Sequence, residues 1–305
     1  MLALPLVAMA QTSRVEGMSI QGDYIKDYTG IFTYTSGVSN VGNLVYGELG
    51  VATGGTPVDR SVGAVMGDWW EGRYGTWAIH MRQFTDPNFH TSEQFDIMWG
   101  KKFGTASLGL RLNRSFGQVE LDNDPVGLGN ISELKYDFTQ FDPNLARNVM
   151  GFGVGVGFEM SPTMNVEANV LYQSRSFEVH DTTGATITEA DGKSAFQLAA
   201  RAWWQWQPNV MIVPVFKWYS YDLSTTTGPT AADNSLKGWQ VGLAGNWTVG
   251  SNDLFVLGAT FAQNKIEQEV DLFGAGFAVG NITETFTPQV FAALETHVNS
   301  WLTLR

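Results

Sequence analysis

The sequence predicts an all-β fold, a transmembrane up-and-down antiparallel β-barrel with 12 complete strands and the start of a 13th. Three observations predict it. Twelve segments alternate apolar and polar residues, the period-2 pattern of strands with one apolar and one polar surrounding. The connections between them alternate between short and long, as expected when tight turns lie on one side of a membrane and long loops on the other. No stretch reads as a spanning helix: 44% of residues are hydrophobic and the mean hydropathy is −0.08. A barrel has this bland profile because half of every strand faces a polar lumen.

The alternation is clearest from Gln94 to Phe116. Phe95, Ile97 and Trp99 share one face, and Gln94, Asp96 and Met98 the other. Beyond a break at Phe103-Gly104, Leu108, Leu110 and Leu112 oppose Ser107, Arg111 and Asn113. The full set of period-2 segments is 44–53, 61–69, 73–84, 93–102, 105–116, 148–160, 164–177, 195–207, 210–221, 236–249, 253–266 and 284–298. Short turns are expected at Trp70, Phe103-Gly104, 161–163, Pro208-Asn209, 250–252 and Asn299. Longer connections are expected at Gly54, Asp86-Pro87, 118–147, 178–194, 222–235 and 267–283. Trp69, Trp70, Trp77, Trp99, Trp203, Trp204, Trp206, Trp247 and Trp301 lie close to short turns, where indoles would form an interfacial girdle.

Residues 1–10, MLALPLVAMA, read as the end of a secretory signal, with Ala8-Met9-Ala10 as the cleavage pattern. Residues 11–43 then form an N-terminal periplasmic or lumenal plug segment, and 44–305 the barrel. The twelfth segment returns to the periplasm and residues 301–305 begin another strand, so a C-terminally truncated barrel of 14 strands is expected. Export to the bacterial outer membrane follows, and the absence of cysteine fits an oxidising compartment.

Net charge is −12, and the long connections hold 16 of the 30 acidic residues. An acidic rim argues against nucleic acid as a partner. It suits cations, and divalent ions shared with lipopolysaccharide and outer-membrane lipid. No enzyme is expected. His80, His90, His180 and His297 form no metal-ligand spacing, and no phosphate loop or nucleophile elbow is present. Neither a cofactor nor a metal is implied.

Parity assigns the candidate pore-lining residues. His80, Arg82, Asp96, Arg111, Glu159, Glu167, Arg175 and Arg201 point inward on their segments. A two-residue turn at Phe103-Gly104 would set Asp96 opposite Arg111 as an ion pair on the wall. Gly151, Gly153, Gly155 and Gly157 take successive inward positions and form a smooth wall against which a plug could rest.

The run RVEGMSIQGDYIKDYTGIFTYTSGVSNVGNLVYGELG resembles the N-terminal region of the long-chain fatty-acid transporter family. The matching pieces are Gly17-Met18, Asp23, Asp27 and the strand entry Asn43 to Glu48, while Thr35-Ser36-Gly37 stands where that family has Asn-Pro-Ala. The resemblance implies a fourteen-stranded barrel with an N-terminal hatch. The residues themselves point the same way. Ile20, Tyr24, Ile25, Tyr28, Ile31, Phe32 and Tyr34 carry more apolar surface than a free tail exposes, so the segment should fold back into the lumen. The competing arrangement makes residues 28–37 a periplasmic strand or an extra barrel strand. Two functions are compatible with this chain. One is a passive or hatch-gated channel for small, including hydrophobic, solutes; the other is a non-transporting structural or adhesive barrel with acidic outer loops.

Overall fold

The computed structural model describes Met18, residues 22–49, 60–67, 72–86, 89–117, 145–180, 186–222, 224, 233–250, 253–268, 280–285, 288–299 and 302–304. Three short 3-10 turns, Gly22–Tyr24, Tyr28–Phe32 and Thr35–Asn40, precede the strands. The strands are β1 (Leu44–Leu49), β2 (Arg60–Met66), β3 (Thr76–Asp86), β4 (Phe89–Phe103), β5 (Ala106–Gly117), β6 (Leu145–Ser161) and β7 (Met164–His180). They continue as β8 (Thr186–Gln207), β9 (Val210–Asp222), β10 (Ser235–Val249), β11 (Asp253–Gln268), β12 (Gly280–Thr285), β13 (Gln289–Asn299) and β14 (Leu302–Leu304). All belong to one sheet in which neighbours in sequence are neighbours in space. Every pairing is antiparallel.

β12 and β13 both pair with β11, one on its outer half and one on its inner half. β13 is the strand expected over 284–298, β12 lies mostly within the connection expected at 267–283, and β14 is the start of the next strand. Among the described residues β1 and β14 do not pair, so the sheet is not closed by hydrogen bonds. It nevertheless curls around the N-terminal segment. Tyr28 packs on Tyr46 of β1, and Tyr24 packs on Phe291 of β13.

The two faces of the sheet are chemically inverted relative to a soluble protein. Outward-facing Ile97, Leu198, Leu243 and Leu257 are exposed, as are Val62, Phe152, Phe216 and Leu294. The other residues expected to face lipid, Phe95, Leu108 and Leu110, are half-buried. Inward-facing Gln94, Asp96, Arg111, Asn113, Glu167 and Arg201 are buried. A surface this extensively apolar is incompatible with exposure to water and suits hydrocarbon.

Four expectations need correction. The hairpin between β4 and β5 pairs Phe103 with Ala106, so its central residues are Gly104-Thr105. Gly104 takes φ 63, a left-handed backbone that an L residue resists, and the pairing makes it the first central residue. Asp96 therefore stands opposite Asn113, and Arg111 opposite Met98. The connection at Asp86-Pro87 is tight, because Asp86 pairs with Phe89. Likewise β7 and β8 stay paired out to His180 and Thr186, within the expected loop 178–194. Strand ends that outrun the bilayer lose their apolar face while the backbone keeps pairing, so the period-2 signal stops early. The connection placed at Trp70 is wider, running from Met66 to Thr76 with a turn at Gly72–Tyr74.

Candidate functional site

The segment from Gly22 to Asn40 lies inside the curled sheet, and its three turns fit three different parts of the wall. Asp27 opens the second turn by accepting from the Thr29 amide and hydroxyl, an Asx-type start that needs no helix. Tyr28 and Tyr34 are buried, and Phe32 sits edge-on to His80 at a centroid distance of 4.7 Å. Residues 28–37 are thus not an extra strand.

The third turn rests on glycine. Gly100 of β4 pairs with Gly109 of β5, which pairs with Gly155 of β6, giving a row of three across neighbouring strands. A Cβ on Gly155 would lie 2.6 Å from the Ser36 amide nitrogen, and one on Gly109 would overlap the Thr35 backbone. A Cβ on Gly100 would lie 2.9 Å from the Ser39 nitrogen. Only the missing side chains let the segment's backbone come this close. The row continues to Asn169 of β7, whose Oδ1 accepts from the Thr35 amide at 3.3 Å and hydroxyl at 2.9 Å.

The first turn is held by side chains. The Lys217 ammonium lies 2.5 Å from the Asp23 carboxylate. Arg201 donates through Nε to Glu167 at 2.6 Å and through a terminal nitrogen to the Asp23 carbonyl at 3.1 Å. Its guanidinium also stacks 3.9 Å from the Tyr34 ring centroid and 4.6 Å from that of Trp203. Asn246 donates to the Tyr24 carbonyl at 2.6 Å. Burial, and then the charge of Asp23, push the phenols of Tyr24 and Tyr34 well above their ordinary range. Among the described residues neither hydroxyl has a hydrogen-bond partner.

A third group braces the wall beside the second turn. Asp96 accepts from Arg111 Nε at 2.8 Å and from Asn113 at 2.7 Å. Arg111 reaches on to the Phe32 carbonyl at 2.7 Å. The expected Asp96–Arg111 pair therefore exists, made diagonally by the long arginine arm and not across one rung. Of the other candidates, His80 hydrogen-bonds Tyr46 at 2.8 Å, and Glu167 and Arg201 pair with each other. Glu159 lies at the inner rim, 3.7 Å from Lys102. The side chains of Arg82 and Arg175 lie outside what the structure describes.

The glycine wall is also redistributed. Gly155 and Gly157 face Ser36, and Gly153 faces Thr35. Gly151 instead is covered by wall side chains: a Cβ there would lie 2.8 Å from Gln173 and 3.3 Å from Asn113. Those two amides join over it at 3.1 Å. Trp203 is another correction, since it points inward, is buried and donates to Glu167 at 2.9 Å instead of joining a girdle. Strand parity explains this, because adjacent Trp203 and Trp204 must face opposite ways.

Lys217, Asn169, Asn246 and the cross-strand glycine row were not among the candidates. Lys217 had a legible signal, a lone cation in the inward series Val213, Val215, Lys217, Tyr219. The glycine row had none, because it exists only once the register is known. Below the segment, on the short-turn side, lies an open cavity of about 750 Å³. Lys26, Asp27 and Gly30 line it from the segment, and Lys102, Glu159, Arg201 and Trp203 from the wall. Among the described residues no group of three or more His, Asp or Glu could hold a metal ion.

No protein-family model matches the sequence. No curated protein matches it either. A solved structure similar to the chain is that of a copper transporter, OprC, at 12% identity and a TM-score of 0.46. The similarity covers 79% of this chain and 41% of that protein, so the chain spans less than half of its length.

Proposed function

We propose that this protein is a bacterial outer-membrane barrel that passes small solutes and is closed at rest by its own N-terminal segment. One observation carries the reading. A segment of three turns sits inside a wall whose outer face is apolar, and wall side chains bind its backbone carbonyls at Asp23, Tyr24 and Phe32. Contacts to carbonyls hold a segment by its path, in addition to the side-chain contacts at Asp23, Tyr34 and Thr35, as suits a plug. The N-terminal resemblance to the fatty-acid transporter family, with its hatch, agrees with this reading. The acidic outer connections would share divalent cations with lipopolysaccharide. No catalytic step is part of the reading.

A second reading, a non-transporting structural barrel, draws support from the interior itself, where Asp96, Arg111, Glu167 and Arg201 at the level of the segment are buried and hydrogen-bonded. Solute flux into proteoliposomes separates the two. The transport reading expects the full-length protein, closed at rest, to admit small solutes slowly in transient openings of the segment, and deletion of residues 22–40 to raise the flux further. A protein that admits nothing until the segment is deleted would favour the structural barrel.

A further inference from the structure

We infer that the plug opens as a hinged flap, released from the β8–β10 side and retained on the β4–β6 side, with Arg201 as the positioning residue that holds it shut. The inference rests on the plugged-barrel reading above and goes beyond it by assigning the direction of movement and the residue that controls it.

The two attachments differ in kind. The third turn lies backbone-to-backbone on Gly100, Gly109 and Gly155, and runs through Val41 to Asn43 directly into β1. Asn43 in turn accepts from the Gly67 amide at 2.8 Å, which ties the entry to the start of the β2–β3 connection. This end is covalently continuous with the wall and cannot leave without unzipping it. Among the described residues the first turn adjoins no strand in sequence. It is held by Lys217 on the Asp23 carboxylate, Arg201 on the Asp23 carbonyl and Asn246 on the Tyr24 carbonyl, and Tyr24 and Ile25 pack against Trp203, Val213 and Val215.

Arg201 touches the first turn, the second turn and the residue that leads into the third. It binds the first turn at Asp23 and stacks on Tyr34, the residue that leads into the third turn. At the second turn, a Cβ on Gly30 would lie 3.1 Å from one of its terminal nitrogens. Glu167 aims the guanidinium from behind. A planar fork that donates in two directions while stacking on a ring is a role lysine cannot fill. Swinging the first two turns about Thr33 and Tyr34 requires this group to let go together with Lys217 and Asn246, and Arg111 to release the Phe32 carbonyl. The cavity of about 750 Å³ borders Lys26 to Ile31, the second turn and its link to the first, and gives them room to move.

The chain has no cysteine, so single spin labels report unambiguously. Labels at Lys26→Cys, on the flap, and Asn40→Cys, on the retained end, are both at exposed positions. The full-length protein in bilayers is compared with Arg201→Lys and, separately, with Gly30→Ala, which alters no wall residue. Loss of charge-assisted hydrogen bonds should raise the mobile population at position 26 about tenfold or more. Position 40 should not change. Equal mobilisation at both positions, or none at 26 in either variant, overturns the hinge. Single-channel current is read in parallel. A selective response at 26 with no current in any variant keeps the hinge and removes the transport reading. Current without that selectivity does the reverse.

Discussion

The β4–β6 wall and the β8–β10 wall hold the same segment by different dominant means. On β4–β6 the sequence removes side chains, so that Thr35 and Ser36 meet a glycine row. On β8–β10 it supplies polar side chains, Lys217 and Arg201 to Asp23 and Asn246 to Tyr24, beside an apolar cluster of Tyr24 and Ile25 with Trp203, Val213 and Val215. Contact through glycine is governed by shape. It has no alternative geometry short of separation, and salt does not screen it. Contact through Lys217 and Arg201 can be exchanged for water or for another carboxylate. One face of the plug is thus a fit and the other a fastening.

The largest effect is expected from Glu167→Ala. It strands the Arg201 guanidinium, whose partner carboxylate and its own side chain are both buried, and should cost about 3–5 kcal/mol. Limited proteolysis should then cut near the first two turns while 35–40 stays protected; equal cutting across 22–40 would erase the distinction between the walls. A smaller loss, about 1–3 kcal/mol, is expected for Gly109→Val, which drives side-chain atoms into the Thr35 backbone. Here protection should fail first at 35–40. Retained protection there would mean that the glycine row is incidental. The smallest effect belongs to Tyr34→Phe, which keeps the ring under Arg201 and removes a buried hydroxyl without a described partner. It should change stability by less than about 0.5 kcal/mol at neutral pH. Its consequence appears in alkali. Burial raises the folded-state phenol pKa, so the associated stability is complete below the ordinary value near pH 10 and is lost as pH rises beyond it. Protease protection measured against pH should therefore decline less steeply for Tyr34→Phe than for the parent above pH ~10.

Strand identity and facing were legible because a side chain's face depends only on its parity. Asp96, Arg111, Glu167 and Arg201 were all placed inward that way, and all are. Register was less legible. The choice between Phe103-Gly104 and Gly104-Thr105 turns on which residue needs a left-handed backbone, and one glycine fits either frame. That single step moved Arg111 from Asp96 to Met98 as its partner across the ladder. The plug's apolar content marked it as buried, but its partners were hidden. Asp23 meets Lys217 across 194 positions. No local pattern encodes such a meeting, which depends on how far the sheet curls.

That separation bears on assembly. The segment is made first, yet its seat is made last: Asn246, which holds the Tyr24 carbonyl, lies 222 positions further along the chain. Contacts this distant form late and slowly. During synthesis and export, Tyr24, Ile25 and Tyr34 must therefore remain uncommitted until β10 arrives. A wall that curls up without its segment would leave the glycine row facing an empty groove and Lys217 without its carboxylate. The order of closure, and not only the final fit, is written into these residues.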